Sequence, residues 1–192
     1  MRAERLEAFT DGVVAIIITI TVLEMKVPAA PSLPALLAAA PVLLAYVLSF
    51  LNVGLYWNNH HHMFQAASHV DGRVLWANLF MLFWLSLVPW VIRWLDDGGF
   101  AALPTAAYGV VLGFAGAGYS WTQAELIRVN GHDSAVARAV GGDWKGKLSM
   151  VGYAAAVVVA FVMPAAAIAI YVAIALSWFI PDRRIERQLR EP

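Results

Sequence analysis

Three consecutive histidines, His60, His61 and His62, with Asn58, Asn59 and His69 close by, form the densest group of metal-capable side chains in the sequence. Neighbouring residues on a helix point about 100° apart, so three in a row cannot converge on one ion. His62 and His69 share a helical face at a seven-residue spacing, yet no clear third ligand accompanies them and the H-E-x-x-H pattern is absent. No metal site is expected. The lack of cysteine excludes disulfides, thiolate nucleophiles and thiolate metal sites. No nucleophile, acid–base pair or metal cluster stands within reach of its partners, so an enzyme is not expected. The spacing favours a hydrogen-bonded network joining one or two of the histidines to Arg5, Thr10 or Asp11. Asn78 is the best-placed amide for it, and the choice of histidine stays open. Asn52 lies deeper and reads as a packing hydrogen bond.

The elements that would position these groups are membrane helices. Of 192 residues, 61% are hydrophobic and 14% charged, with a mean hydropathy of +0.68, far from the soluble balance. The formal net charge is zero and gives no reason to propose a nucleic-acid partner. A bilayer core needs roughly 20 residues of helix. Six stretches approach that length, at about residues 9–27, 33–57, 74–95, 101–127, 148–163 and 165–180. The last two come from one apolar block broken at Met163-Pro164, read as a tight helical hairpin.

With the amino terminus inside, Arg2, Arg5, Arg73, Arg128, Arg138, Lys145, Lys147, Arg183, Arg184, Arg187 and Arg190 all fall inside, eleven of the thirteen Lys and Arg. Only Lys26 and Arg93 fall outside, alongside Glu24, Asp96 and Asp97. The fold class expected is all-α: a polytopic membrane protein with six transmembrane helices and cytoplasmic N- and C-termini. Residues 1–192 then form a single six-helix domain, multi-pass in the cell membrane with the lipid bilayer as its surroundings. A cleaved signal peptide is disfavoured by Glu4, Glu7 and Asp11, because signal n-regions are basic. The glycines of GVVLGFAGAG read as close helix contacts, the 128–147 loop as a solvated connector, and RRIERQLR as a basic tail suited to anionic headgroups.

The first helix is the unusual one. Turning about 100° per residue from Ile16 places Thr19 and Leu23 on the same face in successive turns, and places Thr21 about 140° away. Asp11 lies about 140° from Ile16 and points toward neighbouring helices. An unpaired carboxylate at a membrane edge is costly, so Asp11 either has a partner in the scaffold or sits in the helix's first turn, where the dipole favours an acid. The wheel alone leaves Ile16, Thr19 and Leu23 open to another reading, as ordinary packing positions with Thr19 bonded back to a carbonyl.

Arg5-x-x-x-Phe9-Thr10-Asp11, followed by an apolar helix ending in Leu-Glu-Met-Lys-Val-Pro, closely resembles the R-x-x-x-F-S-D signature of the TMEM175-type potassium channels in their prokaryotic single-repeat form. The resemblance extends to WNNHHHMF and WANLFMLFWLSLVPW and covers essentially the whole chain. Thr10 stands where the family has Ser, which keeps the hydroxyl and adds a methyl. The resemblance implies a homotetramer whose first helices surround a central pore with no carbonyl-lined filter. Carried onto this chain, Ile16 forms the constriction, Thr19 a hydroxyl ring and Leu23 a second apolar ring. The expected function is a potassium-permeable ion channel that needs no cofactor, potassium being the permeant ion. No T-V-G-Y-G stretch is present, so modest selectivity for potassium over sodium is expected. The alternative is a secondary transporter of a cation or small solute. It is disfavoured by the lack of an evident repeat and by a first helix unbroken after Gly12.

Overall fold

The computed structural model describes residues 3–141 and 143–179. Arg2, Arg183, Arg184, Arg187 and Arg190, counted above toward the inside, lie outside the described residues, as do the basic tail and Ile180 at the end of the sixth expected span. Among the described residues the elements are all helices: α1 Ala3–Leu23, α2 Leu33–Ala38, α3 Ala40–Gln65, α4 Gly72–Ser86, α5 Val88–Asp97, α6 Ala102–Asn130, α7 Ala135–Val140, α8 Trp144–Ala160 and α9 Pro164–Phe179.

Prolines and caps explain most boundaries. Ser32 caps α2, its hydroxyl accepting from Ala35 N. Pro41 stands in the first turn of α3 and Pro89 in that of α5. A proline has no N–H and its ring collides with the carbonyl four residues back, so a helix restarts there. The stretches expected as single spans at 33–57 and 74–95 each resolve into two helices for this reason, and the second continues past Trp57 to Gln65. Asp71 caps α4 by accepting from Arg73 N at 3.0 Å and Val74 N at 3.1 Å. The later helices α6, α8 and α9 differ from the expected spans by about a turn or less.

The first helix differs more. It is already helical at Ala3, the first described residue, and Ala3 and Leu6 bury with Met63, Phe64, Val70, Val74 and Leu126. The charged approach is thus already an amphipathic helix. It ends at Leu23, where Met25 N reaches back to Val22 O in a tighter turn and Pro28 follows soon after. Asp11 therefore lies about two turns inside α1 and cannot serve in its first turn.

The long helix α6 is central, packed along α4 and α8 and touching α5 and α9. Glycines let its neighbours approach closely. A methyl group at Gly118 would lie 2.7 Å from Met81 Cα, and one at Gly109 would overlap the ring of Tyr171. The Tyr171 hydroxyl donates to Thr105 O at 3.1 Å. The main core draws Val14 and Ile17 from α1, Leu85 and Ile92 from α4 and α5, Leu112 and Ala115 from α6, and Tyr153 and Tyr171 from α8 and α9.

Three helical segments among the described residues are long and apolar enough to cross a bilayer: Ala3–Leu23, Ala40–Gln65 and Gly72–Asp97, the last taking α4 and α5 together. Charged groups collect at the two ends of these helices. At one end Lys26 pairs with Asp96 and Asp97, and Arg93 with Glu24 and Asp97. At the other end Arg128 bridges Asp71 and Glu125, and Arg73 pairs with Glu125 at 3.2 Å. The Arg128 guanidinium and the Val74 N–H hold the Asp71 carboxyl below its usual range.

Candidate pore helix and the network that holds it

The first helix has two unlike faces. Ala3, Leu6, Thr10, Val14, Ile17 and Thr21 recur every three or four residues and are buried against α3, α4 and α5. The opposite face carries Arg5, Phe9, Gly12, Ile16, Thr19 and Leu23, all exposed. Ile16 is 59% exposed and Leu23 75%, so this chain covers neither side chain. The two internal threonines separate in the same way. Both bond back to a carbonyl one turn earlier, Thr19 to Ala15 O at 2.9 Å and Thr21 to Ile17 O at 2.7 Å. Thr21 is buried, whereas Thr19 points outward. With its proton held by Ala15 O, the Thr19 oxygen turns its lone pairs away from the helix.

The buried face is fixed by two polar chains near the amino-terminal end. In the first, Asn78 of α4 donates through Nδ2 to Thr10 Oγ1 at 2.9 Å, and its Oδ1 lies 2.9 Å from His60 Nε2 of α3. An amide oxygen can only accept, so His60 carries its proton on Nε2. All three residues have no solvent exposure. The His60 ring stacks on Phe64 with centroids 4.1 Å apart, and its buried Nδ1 has no partner among the described residues. Three helices thus meet at the Asn78 amide, and the methyl that Thr10 adds over serine is buried with the hydroxyl.

The second chain lies closer to the surface. Trp57 Nε1 donates to Asp11 Oδ1 at 2.7 Å, and the Trp57 ring stacks on His61 at 5.8 Å. His61 Nδ1 contacts Glu7 Oε1 at 2.6 Å, and Gln65 Nε2 reaches His61 Nε2 at 2.8 Å. The carboxylate accepts and the amide nitrogen donates, so the neutral ring with its proton on Nδ1 satisfies both contacts. Glu7, Trp57 and Gln65 were not singled out from the sequence as site residues. The available signal was spacing: Glu7 and Asp11 stand four apart on α1, as do Trp57 and His61 on α3, giving two facing pairs.

The other sequence-selected residues fall outside these chains. His62 is exposed and, among the described residues, makes only a ring contact with His61, centroids 5.6 Å apart. His69 lies beyond the end of α3 at Gln65, which removes the shared face expected for His62 and His69. Arg5 is exposed and has no hydrogen bond or ion pair among the described residues. Among those residues no three of His, Cys, Asp or Glu come together as a metal site would require. Asn52 donates to Leu48 O within α3. The motif thus divides by face: Thr10 and Asp11 anchor the helix, while Arg5 and Phe9 continue the uncovered stripe toward the amino terminus.

The far end of α1 is held differently. Glu24 and Lys26, just past its last turn, meet Arg93, Asp96 and Asp97 at the end of α5. These pairs lie at the surface, where each is individually weak. Together they fix where the carboxyl end of α1 sits. A helix held at both ends, with one apolar face open, is suited to present that face to something outside this chain.

Known proteins are similar to this chain in sequence and fold. The family model described as the endosomal/lysosomal potassium channel TMEM175 matches residues 5–89, which hold all of α1 but its first two residues, the whole of α3 and α4, and both polar chains. A potassium channel from Chryseobacterium sp. (strain P1-3) is 46% identical over 191 residues, covering 100% of both chains. The human endosomal/lysosomal proton channel TMEM175 is 40% identical over 73 residues, 32% of this chain and 14% of that protein. The crystal structure of a lysosomal potassium-selective channel TMEM175 homolog from Chamaesiphon minutus superposes with a TM-score of 0.81 over 95% of this chain and 97% of that one. At 23% identity that superposition establishes the fold. Full-length identity to the Chryseobacterium channel, with the family model lying across the helices that anchor α1, establishes that the chain belongs to the TMEM175 family of ion channels.

Proposed function

We propose that this protein is a potassium-permeable channel in which copies of α1 surround a central pore. The observation that carries the proposal is the uncovered stripe of Ile16, Thr19 and Leu23 on a helix whose opposite face is anchored by Thr10, Asp11 and the 24–26 segment. An apolar stripe facing no partner in its own chain is completed by the same stripe of other copies. The assembly proposed is a homotetramer in the cell membrane. Each subunit crosses the bilayer six times, through α1, α3, α4–α5, α6, α8 and α9, with both termini cytoplasmic. The clustering of Arg73 and Arg128 at the amino-terminal end of α1, and of Glu24, Asp96 and Asp97 at the other end, supports that orientation.

In this pore Ile16 forms the constriction. A ring of isoleucine offers no dipoles, so passage depends on wetting and on partial loss of an ion's hydration shell. Potassium holds its shell less tightly than sodium and loses less there. Thr19 lies one turn beyond, with its hydroxyl proton committed to Ala15 O, and presents oxygen lone pairs that offset part of that loss. Leu23 narrows the path again near the outer end. The resulting preference for potassium is modest, because no ladder of fixed carbonyls replaces the shell.

The Chryseobacterium relative is named a potassium channel and the human relative a proton channel, so the permeant ion is the first quantity to measure. Proteoliposomes holding the purified protein should pass potassium down its gradient with no coupling ion, faster than sodium. Thr19→Ala should reduce the potassium-to-sodium ratio by about two- to fivefold, the effect of losing roughly one weak oxygen contact to the ion over the whole ring. Saturable, gradient-coupled exchange would point to a transporter and contradict the proposal.

A further inference from the structure

Arg5 stands on the conduction stripe. It is eleven residues before Ile16 and lies within about 20° of it around the helix, some 16 Å nearer the amino-terminal end. Phe9, between them and 51% exposed, shares the face. Since Ala3–Leu23 is one continuous helix, Arg5 belongs to the same element as the constriction. The acids around it point elsewhere. Asp11 accepts from Trp57 and Glu7 contacts His61, both on the scaffold side, and Glu4 lies about 100° around the helix from Arg5. Among the described residues nothing neutralises the Arg5 guanidinium. It is the only charged residue on the stripe from Ala3 to Leu23.

From this placement, and resting on the pore proposed above, we infer that Arg5 forms a ring of fixed positive charge at the cytoplasmic mouth and sets the rectification of the channel. Several guanidinium groups around one axis create a positive potential that lowers the local concentration of cations arriving from the cytoplasm. Cations arriving from the far side meet the Ile16 constriction before the ring, so outward current is limited more than inward current. The field fades over a Debye length, about 8 Å at physiological ionic strength and about 30 Å at 0.01 M. The effect is therefore strong in dilute salt and weak in concentrated salt.

The test is the current–voltage relation of the full-length channel in planar bilayers, at about 0.01 M and about 0.5 M potassium chloride. Wild type should pass less outward than inward current in dilute salt and approach symmetry in concentrated salt. Arg5→Gln should raise outward current in dilute salt by roughly tenfold, the low end of what a one-sign mouth does to local ion concentration. Arg5→Lys should keep the wild-type relation. If Arg5→Gln does not assemble, Arg5→His replaces it: its rectification should appear below about pH 6 and vanish above about pH 7.5, with wild type as the control over the same range. A current–voltage relation unchanged by Arg5→Gln in both salts, or by pH in Arg5→His, would overturn the inference. That failure is distinct from failure of the pore itself, in which wild type would pass no potassium or Ile16 substitutions would leave permeation unaltered.

Discussion

At the scale of single residues, Thr10 separates what a motif says from what a contact does. Its hydroxyl accepts the Asn78 amide in a fully buried site, so its loss would strand a donor inside the helix packing. Thr10→Ala should destabilise the folded protein by about 1–2 kcal/mol. Thr10→Ser should cost less than half of that, because the oxygen remains. Thermal unfolding of the detergent-solubilised protein measures both, and equal losses for the two variants would show that packing of the methyl, not the hydrogen bond, matters there. The angular position of Ile16, Thr19 and Leu23 was legible in the sequence because a helix fixes it. The partners of Asp11 were not legible. Its donor is Trp57, beside the Glu7–His61 contact, and although the four-residue spacing on each helix allows two facing pairs, which residues meet depends on the register of α1 against α3.

Among the helices, the sequence showed where apolar stretches lie better than where they bend. Pro41 and Pro89 were in plain view, yet continuous apolar composition on either side masked the restarts they impose. The charges Glu4, Arg5 and Glu7 similarly hid the fact that Ala3 and Leu6 already follow the helical repeat of Thr10 and Val14. The glycines of α6 read correctly as close contacts, and the structure ranks them. Gly118→Ala would bring its methyl to 2.7 Å from Met81 Cα, against backbone that cannot swing aside. It should cost about 1–3 kcal/mol. Gly54→Ala, on α3 with nothing within 4 Å of the added carbon, should be neutral or stabilising by up to about 1 kcal/mol from helix propensity. Melting of the two variants side by side checks the pair, and a Gly118→Ala protein as stable as Gly54→Ala would contradict the close packing of α4 on α6.

At the scale of the whole molecule, the proposed assembly rests on what a single chain leaves open. The chain's interior is closed by α6 and the helices around it, while the Ile16 face of α1 lacks the cover its composition calls for. Composition and charge asymmetry pointed to the membrane and to an orientation. The number of copies was not readable from them, since nothing along one chain encodes a rotation axis. The most direct test of the central claim is the reversal potential of the reconstituted channel under bi-ionic potassium and sodium, for wild type and Ile16→Asn. Wild type should reverse at a potential favouring potassium, and Ile16→Asn should raise sodium conductance and move the reversal potential toward zero. An Ile16→Asn channel with wild-type conductance and wild-type reversal would place the constriction elsewhere and contradict the account.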